Sequence, residues 1–591
     1  MNQDNRNMVL FLAIAALILV GWPIVSQSLF PQPKRPPVAR TQPGTPTATP
    51  PAGTVTSNAT APAVDATKVK RDRAVVLAET PRVAITTPAV KGSINLKGAR
   101  LDDLVLLRHK ETIKKNAPPV RLLSPSGAAD SYFAGFGWAG DGVALPDKNT
   151  VWTADSAVLT PGKPVTLSWA NPQGLRFQIK IAVDDGYLFT IEQAAANATA
   201  APVTLRPYGL ISRTGASKDV DTWVNHVGPI GVFGVGANYD IGYPDLKGVE
   251  PGFFDAPFGT SVKAGANYFD AKGGWLGFGD LYWLAALVPD QNAQVHAGFR
   301  AAGDVFQADY ASTPVKIAPG KIARTSSRFF AGAKEVRLID KYQNDGGIVN
   351  FDKAIDWGWF QIIEKPIFYY LDILFRLTTN FGVAIILLTL TIRGLLFPIA
   401  QRQFASMAKM KAIQPKQKAI QERYKDDKPR QQQEIMALYK TEGVNPLGGC
   451  GPTLLQIPIM YALYKVLLLS TEMRHQPFVL WIRDLAAPDP LTPINLFGLL
   501  PFTPPVFIAI GIIPILLGVS MYFQFKLNPA PMDEAQKQVF AIMPWMLMFV
   551  MAPFAVGLQL YWITSNVLTI LQQRMLYARH PEMLVPAPAK K

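Results

Sequence analysis

Runs of apolar residues divide this chain into a short anchor, a long middle part and a membrane-spanning end. Six stretches approach the roughly 20 residues that cross a bilayer. They are residues 8–30, 381–400, 452–470, 506–525, 538–552 and 554–571. About 350 residues without such a stretch separate the first from the second. The pattern therefore predicts a membrane protein of about six spans, with one large domain outside the bilayer.

The middle part alternates apolar and polar positions with the period of two that is typical of half-buried strands. In the segment 175–193, Phe177, Ile179 and Ile181 alternate with polar residues, and Asp184-Asp185-Gly186 supplies a turn before a second run. The Gly-rich and aromatic-rich piece Lys272–Trp283 fits the same pattern. Repeated hairpins of this kind predict an all-β sandwich over residues 81–350.

The part before the sandwich predicts an anchor and a tether. In residues 1–30, Arg6 precedes an apolar run that lacks a small-x-small cleavage site near its end. This pattern favours an uncleaved N-terminal transmembrane anchor. Residues 31–80 are rich in Pro, Ala and Thr and bury too little apolar surface to fold alone. They are predicted to form a disordered, semi-stiff tether.

Two amphipathic segments accompany the spans. Residues 356–377 mix aromatic and charged residues at helical spacing, which predicts a helix lying in the membrane interface, with a soluble helix as the alternative. Residues 402–440 predict two antiparallel helices, with Pro415 as a kink and a turn before Pro429. They belong to the predicted membrane core of residues 378–577 as a projecting helical hairpin, and residues 578–591 form a tail.

The distribution of charge orients the predicted spans. The segment 401–447 carries ten Lys and Arg against five Asp and Glu, and basic segments of this kind stay in the cytoplasm. Counting outward places both termini in the cytoplasm and the β domain outside. The net charge of +15 then follows mostly from topology, because no basic run is interleaved with the aromatics that stack nucleic-acid bases. No nucleic-acid substrate is expected, whereas a ribosome contact by this basic loop stays open.

Arg393 carries the first functional signal. It lies within the apolar stretch 381–400, which contains no carboxylate. An arginine near the middle of a membrane span costs roughly 2.5–3.5 kcal/mol on insertion scales, so its side chain should face the bundle interior or a wet cavity. We therefore hypothesise that Arg393 belongs to a functional site.

A polar stripe on the last span carries the second signal. Gln559, Trp562 and Asn566, followed by Thr569 and Gln573, recur at steps of three and four and share one helix face. Together with Thr389, one turn before Arg393, and Gln456, which begins another span, they predict a polar groove inside the membrane. The plainer interpretation is that these side chains join helices by hydrogen bonds. That interpretation explains Arg393 poorly.

Other chemistry is not indicated. The six stretches contain no Asp or Glu for a proton relay, and no phosphate loop indicates a nucleotide. The single cysteine, Cys450, has no second thiol for a disulfide, and a packed small residue is its ordinary role. Among the histidines, His109, His226 and His296 fall in the β domain without metal-binding spacing. We therefore expect no cofactor, no metal and no enzyme activity.

Five segments together resemble the YidC/Oxa/Alb family of membrane protein insertases. They are TIRGLLFPIAQRQFASMAKM from Thr391, QERYKDD, QEIMALYK, GVNPLGGCGPTLLQIPIMYALY from Gly443 and LYWITSNVLTILQQ from Leu560. The resemblance is close over residues 356–577, and the anchor, the β domain and the DWGWF segment extend it to most of the chain. It is closest to the family members of Gram-negative bacteria.

The resemblance implies an inner-membrane insertase and chaperone with a five-helix core beside the N-terminal anchor. Arg393 would lie in a hydrophilic groove, and Thr389 and Trp562 match positions that touch the inserting chain. The hairpin, with Met407, Met410, Tyr424 and Met436, would recruit clients, although a methionine stripe is more often simple packing. The β domain would be a periplasmic supersandwich related to sugar mutarotases. Implied partners are nascent membrane proteins, the Sec translocon with its accessory subunits, the ribosome and membrane lipids.

Two other functions remain as alternatives. A secondary transporter or channel for a small anion would use Arg393 as its selectivity charge, and it predicts internal repeats that the spans do not show. An envelope enzyme acting on sugars would use the β domain, and deleting most of residues 60–320 would abolish its function. An insertase is expected to survive that deletion largely intact.

Overall fold

The computed structural model describes residues 62, 71–219, 225–234, 236–248, 266–425, 427–443, 451–500, 502, 509–527 and 534–579. The chain forms two compact units, one of strands and one of helices. The predicted anchor at 1–30, nearly all of the predicted tether and the last twelve residues lie outside the described part.

The strand unit consists of two sheets, which confirms the predicted sandwich. The larger sheet has eleven strands in the order β14-β17-β18-β11-β5-β3-β2-β1-β7, with β19 beside β11 and β4 beside β3. Its strands are β1 Arg82–Thr86, β2 Val90–Asn95, β3 Arg100–Lys110, β4 Pro119–Leu123, β5 Tyr132–Ala139, β7 Val158–Leu159, β11 Val203–Thr214, β14 Asn267–Lys272, β17 Gln294–Ala302, β18 Val305–Ser312 and β19 Val315–Ile317.

The smaller sheet has nine strands in the order β13-β12-β15-β16-β20-β10-β9-β8-β6. They are β6 Thr153–Ala154, β8 Val165–Ala170, β9 Leu175–Val183, β10 Leu188–Asn197, β12 Gly228–Val232, β13 Ala237–Asn238, β15 Trp275–Gly279, β16 Trp283–Val288 and β20 Ile322–Ala333. Three short helices complete the unit: α1 Arg73–Ala78, α2 Tyr243–Lys247 and α3 Val336–Asn344.

The apolar positions that alternate along the strands fill the space between the sheets. Phe177, Ile179 and Ile181 of β9 are at most 1% exposed. Phe329 of the smaller sheet contacts Phe136 of the larger sheet edge to face, with ring centroids 6.2 Å apart. Each buried side chain of this size stabilises the fold by roughly 1.5–3 kcal/mol, so the period of two in the sequence accounts directly for the layered core.

The turn between β9 and β10 forms where Asp184-Asp185-Gly186 predicts it. The Asp184 carboxylate accepts hydrogen bonds from the backbone N–H groups of Gly186 at 2.9 Å and Leu188 at 3.0 Å. Its second oxygen accepts a hydrogen bond from the Tyr342 hydroxyl of α3 at 2.6 Å. A carboxylate that closes a turn and also holds a helix fixes the register of the hairpin.

The helical unit contains seven helices in its described part. They are α4 Gln361–Thr378, α5 Phe381–Arg423, α6 Lys428–Thr441, α7 Gly451–Leu469, α8 Ile512–Leu527, α9 Glu534–Met551 and α10 Val556–Arg579. By length and composition, one described stretch, Phe381–Gln401, is apolar enough to cross a membrane. Three shorter apolar stretches, Gln456–Leu469, Ile512–Leu527 and Phe540–Met551, coincide with predicted spans.

Helix boundaries differ from the sequence prediction in two places. The second predicted span and the first helix of the predicted hairpin form a single helix, α5, which continues through Pro398 and Pro415 although each proline removes one backbone hydrogen bond. The Asn380 side chain accepts a hydrogen bond from the Val383 N–H at 3.1 Å and begins this helix. The tether prediction also extends too far, since residues 71–80 contain α1 and a backbone hydrogen bond from Arg71 to Gly127 of 2.9 Å.

Local chemistry sets the ends of the other helices. The Asp427 side chain caps the start of α6, and Gly443 with a φ of +63° follows its end. Asp489 is 5% exposed and accepts the N–H of Ile513 at 2.8 Å at the start of α8. Its other oxygen accepts the indole N–H of Trp481 at 3.0 Å. Negative charge at a helix start is favourable because it satisfies unpaired N–H groups.

Candidate functional site

Arg393 of α5 faces α10, and a hydroxyl group is its partner. Its Nε donates a hydrogen bond of 2.9 Å to the Ser565 hydroxyl, and its Nη2 donates to the same oxygen. Ser565 is 2% exposed, whereas Arg393 itself is partly exposed. Within the described part of the chain, no carboxylate lies at salt-bridge distance from Arg393. One neutral acceptor holds a full positive charge here.

A second contact extends this cluster to α7. The amide of Gln456 donates a hydrogen bond to the Tyr561 hydroxyl, and Tyr561 is 1% exposed. Tyr561 also interacts electrostatically with Arg393. Because Tyr561 and Ser565 are one turn apart on α10, a continuous polar cluster joins α5, α7 and α10.

Thr389 lies on the same helix as Arg393 but points into the packed interior. It is fully buried, and its hydroxyl donates a hydrogen bond of 2.7 Å to the Ile385 carbonyl one turn earlier. A hydroxyl that bonds its own helix needs no external partner. Thr389 is therefore one helical turn from Arg393, but its hydroxyl bonds to its own helix and not to Arg393.

Two members of the predicted polar stripe join helices. The amide of Gln559, fully buried, donates to the carbonyls of Met551 at 3.0 Å and Phe554 at 2.9 Å. Asn566 is 2% exposed and donates a hydrogen bond of 2.9 Å to the Ser520 hydroxyl of α8. These contacts match the plainer interpretation, in which amides connect neighbouring helices within the membrane.

The surface beside Arg393 is open in the described part of the chain. Trp562, next to Tyr561, keeps part of its side chain exposed. After Arg393, Gly394 is exposed and a Cβ built on it would meet no atom within 4 Å. Leu395 is 75% exposed. Gly394 and Leu395 project about 100° and 200° around α5 from Arg393, so they mark exposed surface on other sides of the helix, while the Arg393 side chain and Trp562 are themselves partly exposed.

The four hairpin residues fall on α5, α6 and the turn between them. Met407 and Met410 lie on α5, and their side chains are outside the described part. Tyr424 follows α5, with the guanidinium carbons of Arg423 and Arg430 at 5.8 Å and 5.4 Å from its ring centre. Met436 of α6 is 54% exposed. Met436 is therefore accessible on α6, and Tyr424 in the turn lies close to two cations.

Sequence reasoning missed three polar residues that the structure makes prominent. Ser565, which lies outside the predicted polar stripe, is the hydrogen-bond partner of Arg393. Lys465 lies within the apolar stretch 452–470 and is 3% exposed, while Glu364 on α4 is fully buried. Both charges are visible in the sequence, since a lysine inside an apolar run is itself a signal of burial or of a wet site.

The histidines of the strand unit bond to different partners. His109 Nε2 lies 3.1 Å from Glu335, His296 Nδ1 lies 2.8 Å from Asp270, and His226 Nε2 lies 2.8 Å from the Pro229 carbonyl. The described residues contain no group of His, Cys, Asp and Glu with the arrangement of a metal site. These contacts do not assemble a shared catalytic centre.

Comparison with known families covers both units. The YidC periplasmic domain model matches residues 82–370, and the 60Kd inner membrane protein model matches residues 373–583. These two matches meet within α4, the first helix of the helical unit. They give the chain a periplasmic domain and an inner-membrane part.

Full-length relatives carry the same assignment. The chain is 46% identical over 580 residues to the membrane protein insertase YidC of Zymomonas mobilis subsp. mobilis, covering 98% of this chain and 96% of that protein. It is 43% identical over 599 residues to that of Methylorubrum extorquens, with the same coverage. A crystal structure of active YidC insertase with its first transmembrane domain resolved matches 84% of this chain and 93% of that one, at 18% identity and a TM-score of 0.36.

These relatives are insertases and not enzymes, and the comparisons do not support an anion transporter. The polar cluster around Arg393 therefore lies in a protein whose work is to place other proteins in a membrane. The chain belongs to the YidC family of membrane protein insertases.

Proposed function

We propose that the chain inserts clients by holding their polar flanks beside Arg393 while their apolar segments pass into lipid. The observation that carries this proposal is the bonding of Arg393, a partly exposed charge whose partner is a hydroxyl, with no carboxylate at salt-bridge distance among the described residues. Such a charge keeps donors available for an incoming acceptor. Unsatisfied backbone groups in hydrocarbon cost several kcal/mol each, so a polar surface within the bilayer lowers the barrier for a client.

The client groove would consist of Arg393, Trp562 and Gln456, with Thr389, Gln559 and Asn566 as its buried support. Only the first three belong to, or lie beside, the cluster that reaches accessible surface. The other three have partners inside the helical unit. We therefore assign client contact to the first set and helix packing to the second. Because a client must also leave, its contact with Arg393 should be weak.

The topology we propose has both termini in the cytoplasm, several spans and the strand unit in the periplasm. The basic hairpin supports it, since Lys and Arg remain on the cytoplasmic side. The same hairpin, with Tyr424 and Met436 on its described surface, would receive clients from the ribosome. Cooperation with the Sec translocon and contact with lipids rest on the family resemblance.

Photo-crosslinking to a ribosome-stalled single-span client tests the groove. A crosslinking amino acid at Arg393 or Trp562 should capture the client, whereas one at Val567, which is 44% exposed on α10, should capture mainly lipid. Positions Thr389 and Asn566 should react weakly because they are buried. Equal capture at Val567 and Trp562 would contradict a defined groove.

Substitution of the arginine tests the role of its charge. We expect Arg393→Lys to keep insertion within about threefold of wild type for a client with an acidic flank. Arg393→Glu should lower insertion by at least about tenfold, which corresponds to roughly 1.4 kcal/mol. Insertion of a client with a neutral flank should change less. Equal losses from both variants would mean that the shape of the guanidinium matters more than its charge.

A further inference from the structure

A cavity in the strand unit has the lining of a peptide-binding site. It measures about 650 Å³ and is lined by aromatic side chains and a cation that include Arg100, Phe133, Trp138, Trp152 and Tyr208. This volume falls within the range of ligand sites, which are mostly apolar with a few placed polar groups. We name it the tether cavity, for a reason that its rim supplies.

The larger sheet forms the floor of the tether cavity. Gly135 and Gly137 of β5 lie on it, and a Cβ on Gly137 would come within 2.7 Å of the Tyr208 hydroxyl. The guanidinium of Arg100 lies over the Phe133 ring, 4.4 Å from its centre. Small residues on the floor with aromatic and cationic walls are typical of surfaces that bind extended, proline-containing chains.

Pro62 lies at the rim of this cavity and is held by its backbone carbonyl. That carbonyl accepts hydrogen bonds from Arg300 Nη2 at 2.6 Å and from Gln307 Nε2 at 3.1 Å. Arg300 of β17 and Gln307 of β18 are directly opposite each other in the sheet, so their side chains share a face. Two donors from neighbouring strands therefore converge on a single carbonyl.

A buried carboxylate holds these two donors in place. Asp309 is 2% exposed, and its Oδ2 accepts a hydrogen bond from Gln307 Nε2 at 2.9 Å and lies 3.1 Å from Arg300 Nε. Gln307 is itself 1% exposed. A preorganised pair of donors costs less to immobilise on binding, which favours recognition of a backbone carbonyl.

We propose that the tether cavity binds an extended, proline-containing peptide, and that its resident occupant is the chain's own segment 59–66. Pro62 fixes this segment at the rim, and Arg71, hydrogen-bonded to Gly127 at 2.9 Å, fixes the chain again nine residues later. The sequence there, Ala59-Thr60-Ala61-Pro62-Ala63-Val64, has small side chains on both sides of its proline. This proposal is independent of the client groove.

Docking of this segment shortens the free tether. Between the predicted anchor, which ends at residue 30, and Arg71, where the described strand unit begins, about 40 residues become about 30, which shortens the reach of the tether. We name the docked segment the strap.

Tryptophan quenching in the full-length protein tests the strap. In a Cys450→Ser background, Ala61→Cys is labelled with bimane, a fluorophore that a nearby indole quenches at short range. We expect strong quenching, and at least a twofold gain in fluorescence when Trp138→Phe and Trp152→Phe remove the indoles of the cavity. A label at Thr47→Cys, farther along the tether, should stay bright. A bright label at position 61 in the otherwise unchanged chain would overturn the proposal.

Three further measurements assign the contact. Arg300→Ala should raise the fluorescence, while Arg324→Ala, an exposed arginine of the other sheet, should not. Because Arg300→Ala also removes the partner of Asp309, Pro62→Gly provides a variant that leaves the strand unit unchanged. A synthetic peptide of residues 55–70, added in excess, should displace the label and raise its fluorescence. Quenching that persists in Arg300→Ala, in Pro62→Gly and in the presence of the peptide would overturn the assignment of the Pro62 hydrogen bonds as the contact that holds the segment.

Discussion

The two units of this chain treat buried arginines in opposite ways. In the strand unit, Arg213 is paired with Asp280 at 2.8 Å and Arg300 with Asp309 at 3.1 Å. Although burial lowers the pKa of the Arg213 guanidinium, Asp280 raises it above its ordinary value. In the described part of the helical unit, the hydroxyl of Ser565 is the hydrogen-bond partner of Arg393, and Tyr561 lies nearby. Arg213 and Arg300 are neutralised by carboxylates, whereas Arg393 is left available.

This difference separates structural charges from working ones. A buried arginine with a carboxylate is committed to the fold, because removing either partner leaves an uncompensated charge. An arginine held by a neutral hydroxyl gives up little when a client acceptor replaces or joins that hydroxyl. The partner of a buried cation therefore indicates its role better than its depth does.

The largest expected effect comes from breaking a committed pair. Asp280→Ala should lower the free energy of unfolding of the strand unit by about 3–5 kcal/mol, because Arg213 remains buried without its carboxylate. Urea-dependent pulse proteolysis of the full-length protein measures this. The exposed pair Lys180 and Glu192 is the matched control, and its double alanine variant should change stability by less than about 1 kcal/mol. Similar losses from both would erase the distinction.

A buried lysine also affects the stability of the strand unit, and its effect depends on pH. Burial lowers the pKa of the Lys334 ammonium to about 8, although Asp280, Asp356 and Asp219 raise it. The unfolded state then binds more protons between pH 8 and about 10.5, so the stability of the strand unit rises with pH in that window. Below pH 8 the cost of burying the charge, about 3 kcal/mol, is fully present.

Lys334→Met isolates that contribution. The stability difference between this variant and the unchanged protein should be largest at pH 7 and should shrink as pH rises to 10. Buried tyrosines have the opposite effect, because the fold becomes less stable as pH approaches 10 and the unfolded chain's tyrosines ionise. Both proteins contain these tyrosines, so the difference between the two proteins removes that effect. Unfolding curves at each pH give the result, and a difference that does not vary with pH would refute it.

A smaller effect is expected from a polar residue that joins helices. Gln559→Leu removes the donor that the carbonyls of Met551 and Phe554 share, at a cost of about 1–3 kcal/mol. Insertion should fall only as far as the amount of folded protein falls. The exposed Val567→Ala should leave both quantities nearly unchanged. Loss of insertion with full stability would move Gln559 into the client groove.

The smallest effect on stability should come from the working arginine itself. Arg393→Leu loses the hydrogen bonds to Ser565 but also removes the cost of holding a charge in the membrane, so the two terms largely cancel. The free energy of unfolding, measured by thermal unfolding, should change by less than about 1 kcal/mol, while insertion of clients with an acidic flank falls. Arg213→Leu, in contrast, should destabilise the strand unit strongly. Comparable destabilisation by the two would break the comparison.

The periodicity of the sequence predicted the features that a local pattern controls. It did not predict how each helix is rotated toward its neighbours or which distant strands pair. The β9–β10 hairpin and its turn followed from alternation around Asp184. The place of β11 between β5 and β18 involves strands about 70 and 100 residues away in the sequence, and no local pattern encodes it.

The candidate site shows the same division. The prediction that Arg393 faces protein follows from the cost of its charge in lipid. Its partner was not predicted, because Ser565 lies roughly 60° around α10 from Trp562, at about 100° per residue. A polar stripe defines a face but not how far the helix is turned toward its neighbour. Gln559 and Asn566 instead bond to the nearest buried acceptors, as polar groups away from water must.

The length of helix α5 has a mechanical consequence. At about 1.5 Å per residue, Phe381–Arg423 is roughly 65 Å long, about twice the roughly 30 Å thickness of the hydrocarbon layer. The helix that carries Arg393 also reaches the turn at Tyr424, about 45 Å farther along. Pro398 and Pro415 lie between these two points and weaken the helix there, so bending at the prolines absorbs part of any sideways movement of the hairpin tip before it reaches the arginine.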